Sequence, residues 1–110
     1  MNWKPLTEEA DIETIISKSN SRPQVIFKHS TTCSISSVVK SRLDKGATLE
    51  NIDFYFLDLL RYRSVSNKVA ETFNIHHESP QALIIKNGKC VYDESHMSIN
   101  FQEILTSASF

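Results

Sequence analysis

The run Val25-Ile26-Phe27-Lys28-His29-Ser30-Thr31-Thr32-Cys33-Ser34-Ile35-Ser36 holds the change of pattern that decides the fold. Its first three residues form a short continuous apolar run, as expected of a strand covered on both faces. Hydroxyl residues then interrupt the pattern. Apolar residues return as Ile35, Val38, Val39 and Leu43, at helical spacing, with Gly46 as the expected stop. A strand, a turn and a helix are therefore predicted, with Cys33 at the helix start and Thr32 as its cap. The first N–H groups of a helix lack intrahelical partners and carry partial positive charge, which favours a thiolate placed there. The chemistry to expect is that of a nucleophilic cysteine.

Upstream, Thr7 is the expected cap of a first helix with Glu8 and Glu9 in its opening turn and Ile12, Ile15 and Ile16 on one stripe. Pro23 bars its continuation and leads into the strand. Downstream, Asp53-Phe54-Tyr55-Phe56-Leu57-Asp58 reads as a second doubly covered strand. A third helix follows, with Ser64 or Ser66 as cap, Val69 and Phe73 inward and Asn74 as a left-handed stop. Ala82-Leu83-Ile84-Ile85 and Cys90-Val91-Tyr92 flank Asn87-Gly88, the dipeptide best suited to a type I′ hairpin turn. Ser98 or Asn100 can cap a last helix carrying Phe101, Ile104, Leu105 and Ala108.

The order is αβαβαββα. Its first two strands require a crossover and are parallel, whereas the last two form a hairpin. The expectation is an α/β fold with a central four-stranded mixed sheet flanked by helices. That is the thioredoxin-like order, in which a proline opens the first strand of the hairpin, and Pro80 stands there with a cis bond expected.

With 110 residues the chain fits a single domain, 1–110, and a net charge of −1 provides no electrostatic footprint for nucleic acid. No apolar run is long enough to span a membrane, and the amino terminus lacks the apolar core of a signal peptide. A cytoplasmic protein is expected, so its two cysteines, Cys33 and Cys90, are read as free thiols. The few glycines, Gly46 and Gly88, are expected to mark turns.

Beyond the fold, Phe27-Lys28-His29-Ser30-Thr31-Thr32-Cys33 with Ile35-Ser36, then Glu78-Ser79-Pro80-Gln81, Asn87-Gly88-Lys89 and Ser95-His96 resemble the small monothiol bacilliredoxins of the bacillithiol system, the YtxJ family. The resemblance spans nearly the whole chain. One departure is Ser34, where that family more often has proline. A serine there loosens the turn without changing the class of chemistry. The resemblance implies removal of bacillithiol from mixed disulfides on client proteins, with bacillithiol as co-substrate and no resident cofactor.

The residues themselves ask for something close. In Cys33-Ser34-Ile35-Ser36, Ser36 occupies the position where a dithiol oxidoreductase holds its resolving cysteine, so the site must work with one thiol. Cys33 and Ser36 are the catalytic candidates. Thr32, Ser34, Ser79, Pro80, Lys28 and His29 are the substrate-binding candidates. Ser79 is expected to act through its backbone N–H and C=O, His29 by helping to ionise Cys33, and Lys28, with Arg61 and Arg63, by meeting the malate carboxylates of bacillithiol. Cys90 is read as packed and inert. His29, His76, His77 and His96 lack common zinc spacing, so no metal is assigned. The chain is expected to be a monomer or weak homodimer. Two alternatives remain open: a redox-sensing or adaptor module without turnover, and an arsenate-reductase-like enzyme, although residues 28–36 offer only Lys28 for an anion pocket.

Overall fold

The computed structural model describes residues 1–47 and 49–108. Strands β1 (Lys4–Pro5), β2 (Gln24–His29), β3 (Asp53–Asp58), β4 (Gln81–Lys86) and β5 (Lys89–Ser95) form one sheet in the order β1-β3-β2-β4-β5. Helices α1 (Ala10–Lys18), α2 (Ser34–Asp44), α3 (Arg63–Phe73) and α4 (Phe101–Ala108) cover it, with a 3-10 turn, His96–Ser98, before the last. Strand β2 pairs parallel with β3 and antiparallel with β4, and β4 pairs antiparallel with β5. The expected four-stranded mixed sheet is thus present. A fifth, two-residue strand extends it at the β3 edge, where Lys4 and Pro5 pair parallel with Tyr55 and Phe56. A strand that short has no periodicity to read in sequence.

Alternation along the central strands sorts their side chains into two apolar layers. Ile26, Tyr55, Leu57, Leu83 and Ile85 face Ile12 and Ile15 of α1 and Val65, Val69 and Phe73 of α3. Val25, Phe27, Phe54, Ala82 and Ile84 face Val39 and Leu43 of α2 and Ile104 and Ala108 of α4. Both faces are covered, which is why these strands read as unbroken apolar runs. Each fully buried aliphatic side chain contributes about 1.5–3 kcal/mol.

Several helix boundaries depart from expectation, each for a local reason. Thr7 does not cap α1. The helix opens at Ala10, and the Asp11 carboxylate reaches back to accept the N–H groups of Thr7 and Glu8 at 3.2 and 3.1 Å. Neither Ser64 nor Ser66 caps α3, which begins at Arg63. Asp58, at the end of β3, instead accepts the Arg61 N–H through its side chain and the Tyr62 N–H through its backbone. Asn74 ends α3 with φ 52°, as expected. Asn100 caps α4, its side-chain oxygen accepting the Glu103 N–H at 2.8 Å.

Helix α2 shows the largest rotation from the predicted stripe. Its buried face is Ser36, Val39 and Leu43, whereas Ile35 and Val38 stand 44% and 46% exposed. A serine on the buried face hides the true stripe from an apolar count. Gly46 does not have a positive φ. It is required because a Cβ there would meet the Phe101 ring at 2.6 Å. Asn87 and Gly88, with φ 52° and 77°, form the predicted hairpin turn.

Candidate active site

Strand β2 ends at His29, and the chain turns through Ser30-Thr31-Thr32 into α2, with Cys33 at its N-cap position in extended conformation. The Cys33 N–H donates to Ser30 O at 3.2 Å, its C=O accepts the Ser37 N–H at 3.1 Å, and its side chain makes no capping hydrogen bond. The thiol is partly exposed, between exposed Thr32 and Ser34. Thr32 is not the helix cap, because Cys33 occupies that position. The Thr32 hydroxyl instead lies 3.3 Å from that of Ser30.

Ser36 is completely buried one turn into α2. Its Oγ accepts the Ser30 N–H at 3.1 Å and lies 2.7 Å from His29 Nδ1. The resolving-cysteine position is therefore occupied by a hydroxyl that ties the active-site turn to the end of β2. His29 is only 5% exposed and packs against Phe27 and Phe56. Burial, and then the charge of Lys40, hold its imidazole below the usual histidine range, so the ring is neutral at pH 7. Its role here is as Ser36's partner. The expected ionisation of Cys33 by His29 has no contact of its own in this arrangement.

Lys28 points to the opposite face of β2, toward α3, and is fully buried. Its Nζ donates to Ser66 O at 3.3 Å and lies 3.2 Å from His77 Nδ1. Burial pushes its pKa down to about 8. A side chain with no accessible surface does not meet a solvated carboxylate, which corrects the substrate contact expected of it. Strand alternation next to an apolar run was the signal for this burial. Arg61 and Arg63 are exposed, with the Arg61 guanidinium 5.4 Å from the Tyr62 ring centroid.

The Ser79–Pro80 peptide is cis, with Pro80 buried and Ser79 half-buried. Pro80 O accepts the His96 N–H at 2.9 Å, and Gln81 Nε2 donates to His76 O at 2.9 Å, so the loop is anchored on both sides of Ser79. Cys90 lies on β5 opposite Ile85, packed against the α1/α3 layer, with its Sγ donating to Tyr92 O. Burial pushes this thiol above its ordinary range. Among the described residues no group of three or more His, Cys, Asp or Glu could hold a metal ion. No helix among them is long and apolar enough to cross a membrane.

A mixed sheet with a cysteine at the head of the helix after β2 and a cis proline opening β4 defines a thioredoxin-fold protein, and Ser36 restricts its redox motif to one thiol. Comparison with solved structures agrees. A protein with a thioredoxin fold superposes with a TM-score of 0.81 at 30% identity, covering 94% of this chain and 90% of its own. The thioredoxin of Fasciola hepatica matches with a TM-score of 0.76 at 19% identity, covering 96% of each chain. That of Malassezia sympodialis gives 0.77 at 13% identity, covering 99% of this chain and 92% of its own. The family model described as monothiol bacilliredoxin BrxC matches residues 4–104. The chain belongs to the monothiol bacilliredoxin family, thiol–disulfide oxidoreductases that use a cysteine to remove bacillithiol from proteins.

Proposed function

We propose that Cys33 is the cysteine through which this chain performs the family reaction. The observation that carries the proposal is the partly exposed thiol at the N-cap of α2, one turn before a buried Ser36 that cannot resolve it. In this reading the Cys33 thiolate attacks the bacillithiol sulfur of a protein mixed disulfide. The old S–S bond breaks, the client sulfur leaves as a thiolate that takes a proton from water, and Cys33 is left disulfide-bonded to bacillithiol. A second small thiol then attacks that bond and returns Cys33 to its reduced form.

Ser34 and Thr32, both exposed beside the thiol, border the incoming substrate, and the Ser79 backbone ahead of Pro80 pairs with its peptide-like part. Ile35 and Val38, exposed on the same end of α2, offer apolar surface to the client. Ser36 and His29 hold the turn rather than touch substrate. The protein acts in the cytoplasm as a monomer or weak homodimer.

Cys33→Ala should abolish release of bacillithiol from a bacillithiolated client, while Cys90→Ala keeps it, as followed by intact-protein mass. Equal loss in both variants, or in neither, rejects the proposal. A Cys33 adduct that no added small thiol removes would reassign the chain as a sensor.

A further inference from the structure

Lys28 carries a charge that neither the reaction nor the fold obviously needs. It has no exposed surface, and among the described residues no carboxylate stands within ion-pairing distance of it. A buried, unpaired ammonium is costly and is tolerated only where hydrogen bonds replace its water. Two such bonds are present, and they come from different parts of the fold: the Ser66 carbonyl of α3 and Nδ1 of His77, in the loop entering β4. An apolar side chain at this position would fill the same layer at lower cost, so what the ammonium adds is the link to the loop.

The chemistry fixes the direction of that link. An ammonium has three donors and no acceptor, so His77 Nδ1 must accept and the ring proton sits on Nε2. Burial and the Lys28 charge both hold His77 below the usual histidine range, which keeps the ring neutral and able to accept. His76, its neighbour, is held through its carbonyl by Gln81, and Pro80 through its carbonyl by the His96 N–H. Nearer the surface the Glu78 carboxylate lies 3.5 Å from His96 Nε2, and the Lys28–His77 bond is the anchor that ties this loop to the buried end of β2.

We infer that Lys28 is a positioning residue for the substrate-pairing half of the site: by binding His77 it sets the loop that presents the Ser79 backbone. This rests on the reading of Ser79 given above. Lys28 lies on β2 five positions before the nucleophile, on the opposite face of the strand from the Ser36–His29 pair. The same strand end thus fixes both halves, Cys33 through His29 and Ser79 through Lys28.

The test uses the full chain and a bacillithiolated peptide. Lys28→Met keeps the length and apolar stem of the side chain and removes its donors, and should raise KM for the peptide about tenfold, the order expected for one lost charge-assisted hydrogen bond. The kcat and the rate of Cys33 alkylation by iodoacetamide should stay within about twofold. His77→Leu should reproduce the effect without touching the core. His77→Asn, whose side-chain oxygen replaces Nδ1 as acceptor, should restore KM, and the Lys28→Met, His77→Leu double variant should be no worse than either alone. An unchanged KM in His77→Leu, an equal fall in kcat and alkylation rate, or no rescue by Asn would overturn the inference.

Nitrogen NMR of His77 tests the Lys28–His77 bond independently of what Ser79 and Cys33 do. An Nε2–H tautomer that is lost in Lys28→Met together with unchanged KM leaves the bond standing but refutes its role. A protonated Nδ1 in the wild type refutes the bond itself. Turnover by Cys33→Ala would instead refute the proposed nucleophile and leave the His77 tautomer as it was.

Discussion

Cys33 and Cys90 are the same functional group at two positions of similar, partial exposure, yet their surroundings differ in kind. Cys90 lies in a strand, donates to the Tyr92 carbonyl and packs against an apolar layer, and its thiol form is favoured by burial. Cys33 begins a helix among hydroxyl side chains, with its backbone groups used by the turn and its sulfur left outside the cap. Accessible area alone does not separate a reactive thiol from an inert one. What separates these two is placement: Cys90 is packed in an apolar layer that raises its pKa, whereas Cys33 stands at the open end of a helix.

The sharpest way to break that contrast is to remove each sulfur in turn. Cys33→Ala should fall to the uncatalysed background and Cys90→Ala should keep full turnover, measured as bacillithiol released per enzyme. A milder test leaves both sulfurs in place. With limiting iodoacetamide at pH 7, Cys33 should be modified at least about tenfold faster than Cys90, as read by peptide mass, and equal rates would erase the distinction.

How the open end of α2 is held is tested through Ser36. Ser36→Ala removes the acceptor of the buried Ser30 N–H and the partner of His29, and should cost about 1–3 kcal/mol in denaturant unfolding. Alkylation at Cys33 should become less selective over Cys90 as the turn loosens.

A last comparison sets half-buried Cys90 against fully buried Lys28, ionisable groups whose contributions to stability run in opposite directions with pH. Lys28 has a folded pKa of about 8 against 10.5, so between those values the unfolded chain binds the extra proton and stability rises with pH. The slope is at most about 1.4 kcal/mol per pH unit. Cys90 has a folded pKa above 9.0, so above that pH the folded chain keeps a proton the unfolded one sheds, and stability falls. Denaturation midpoints between pH 7.5 and 10 should therefore lose their rise in Lys28→Met and rise more steeply in Cys90→Ala.

The elements that sequence made legible were those whose pattern is apolar and long. Val25-Ile26-Phe27, the Asp53–Asp58 strand and the Asn87-Gly88 hairpin needed only period and turn chemistry. What escaped was polar and buried. Ser36 and Lys28 read as exposed because hydroxyls and ammonium groups usually are, and only their partners, His29 and His77, explain why they are not. Strand β1 escaped because two residues carry no period, and the start of α1 because Asp11 caps from inside the helix rather than from before it. Gly46 looked like a backbone requirement and is a packing one, set by a ring from the other end of the chain. At the candidate site, the place of Cys33 at the head of α2 and the cis Pro80 could be read from motif spacing, whereas the contacts of His29 and Lys28 depend on which face of β2 each side chain takes.

The hairpin turn is attached to the rest of the molecule in a way its own geometry does not require. The Asn87 N–H donates to Ser19 O at 3.0 Å and the Gly88 N–H to Ser19 Oγ at 2.8 Å, both at the end of α1. Ser19 Oγ itself donates to Ile16 O, so one nearly buried serine finishes a helix and a hairpin together. The β4–β5 ribbon forms from neighbouring residues, but its tip is completed only by a helix from the first fifth of the chain. Maturation of the last strands is therefore coupled to docking of the first helix. A chain interrupted between them would have to bring its two pieces back together before either could finish its hydrogen bonding.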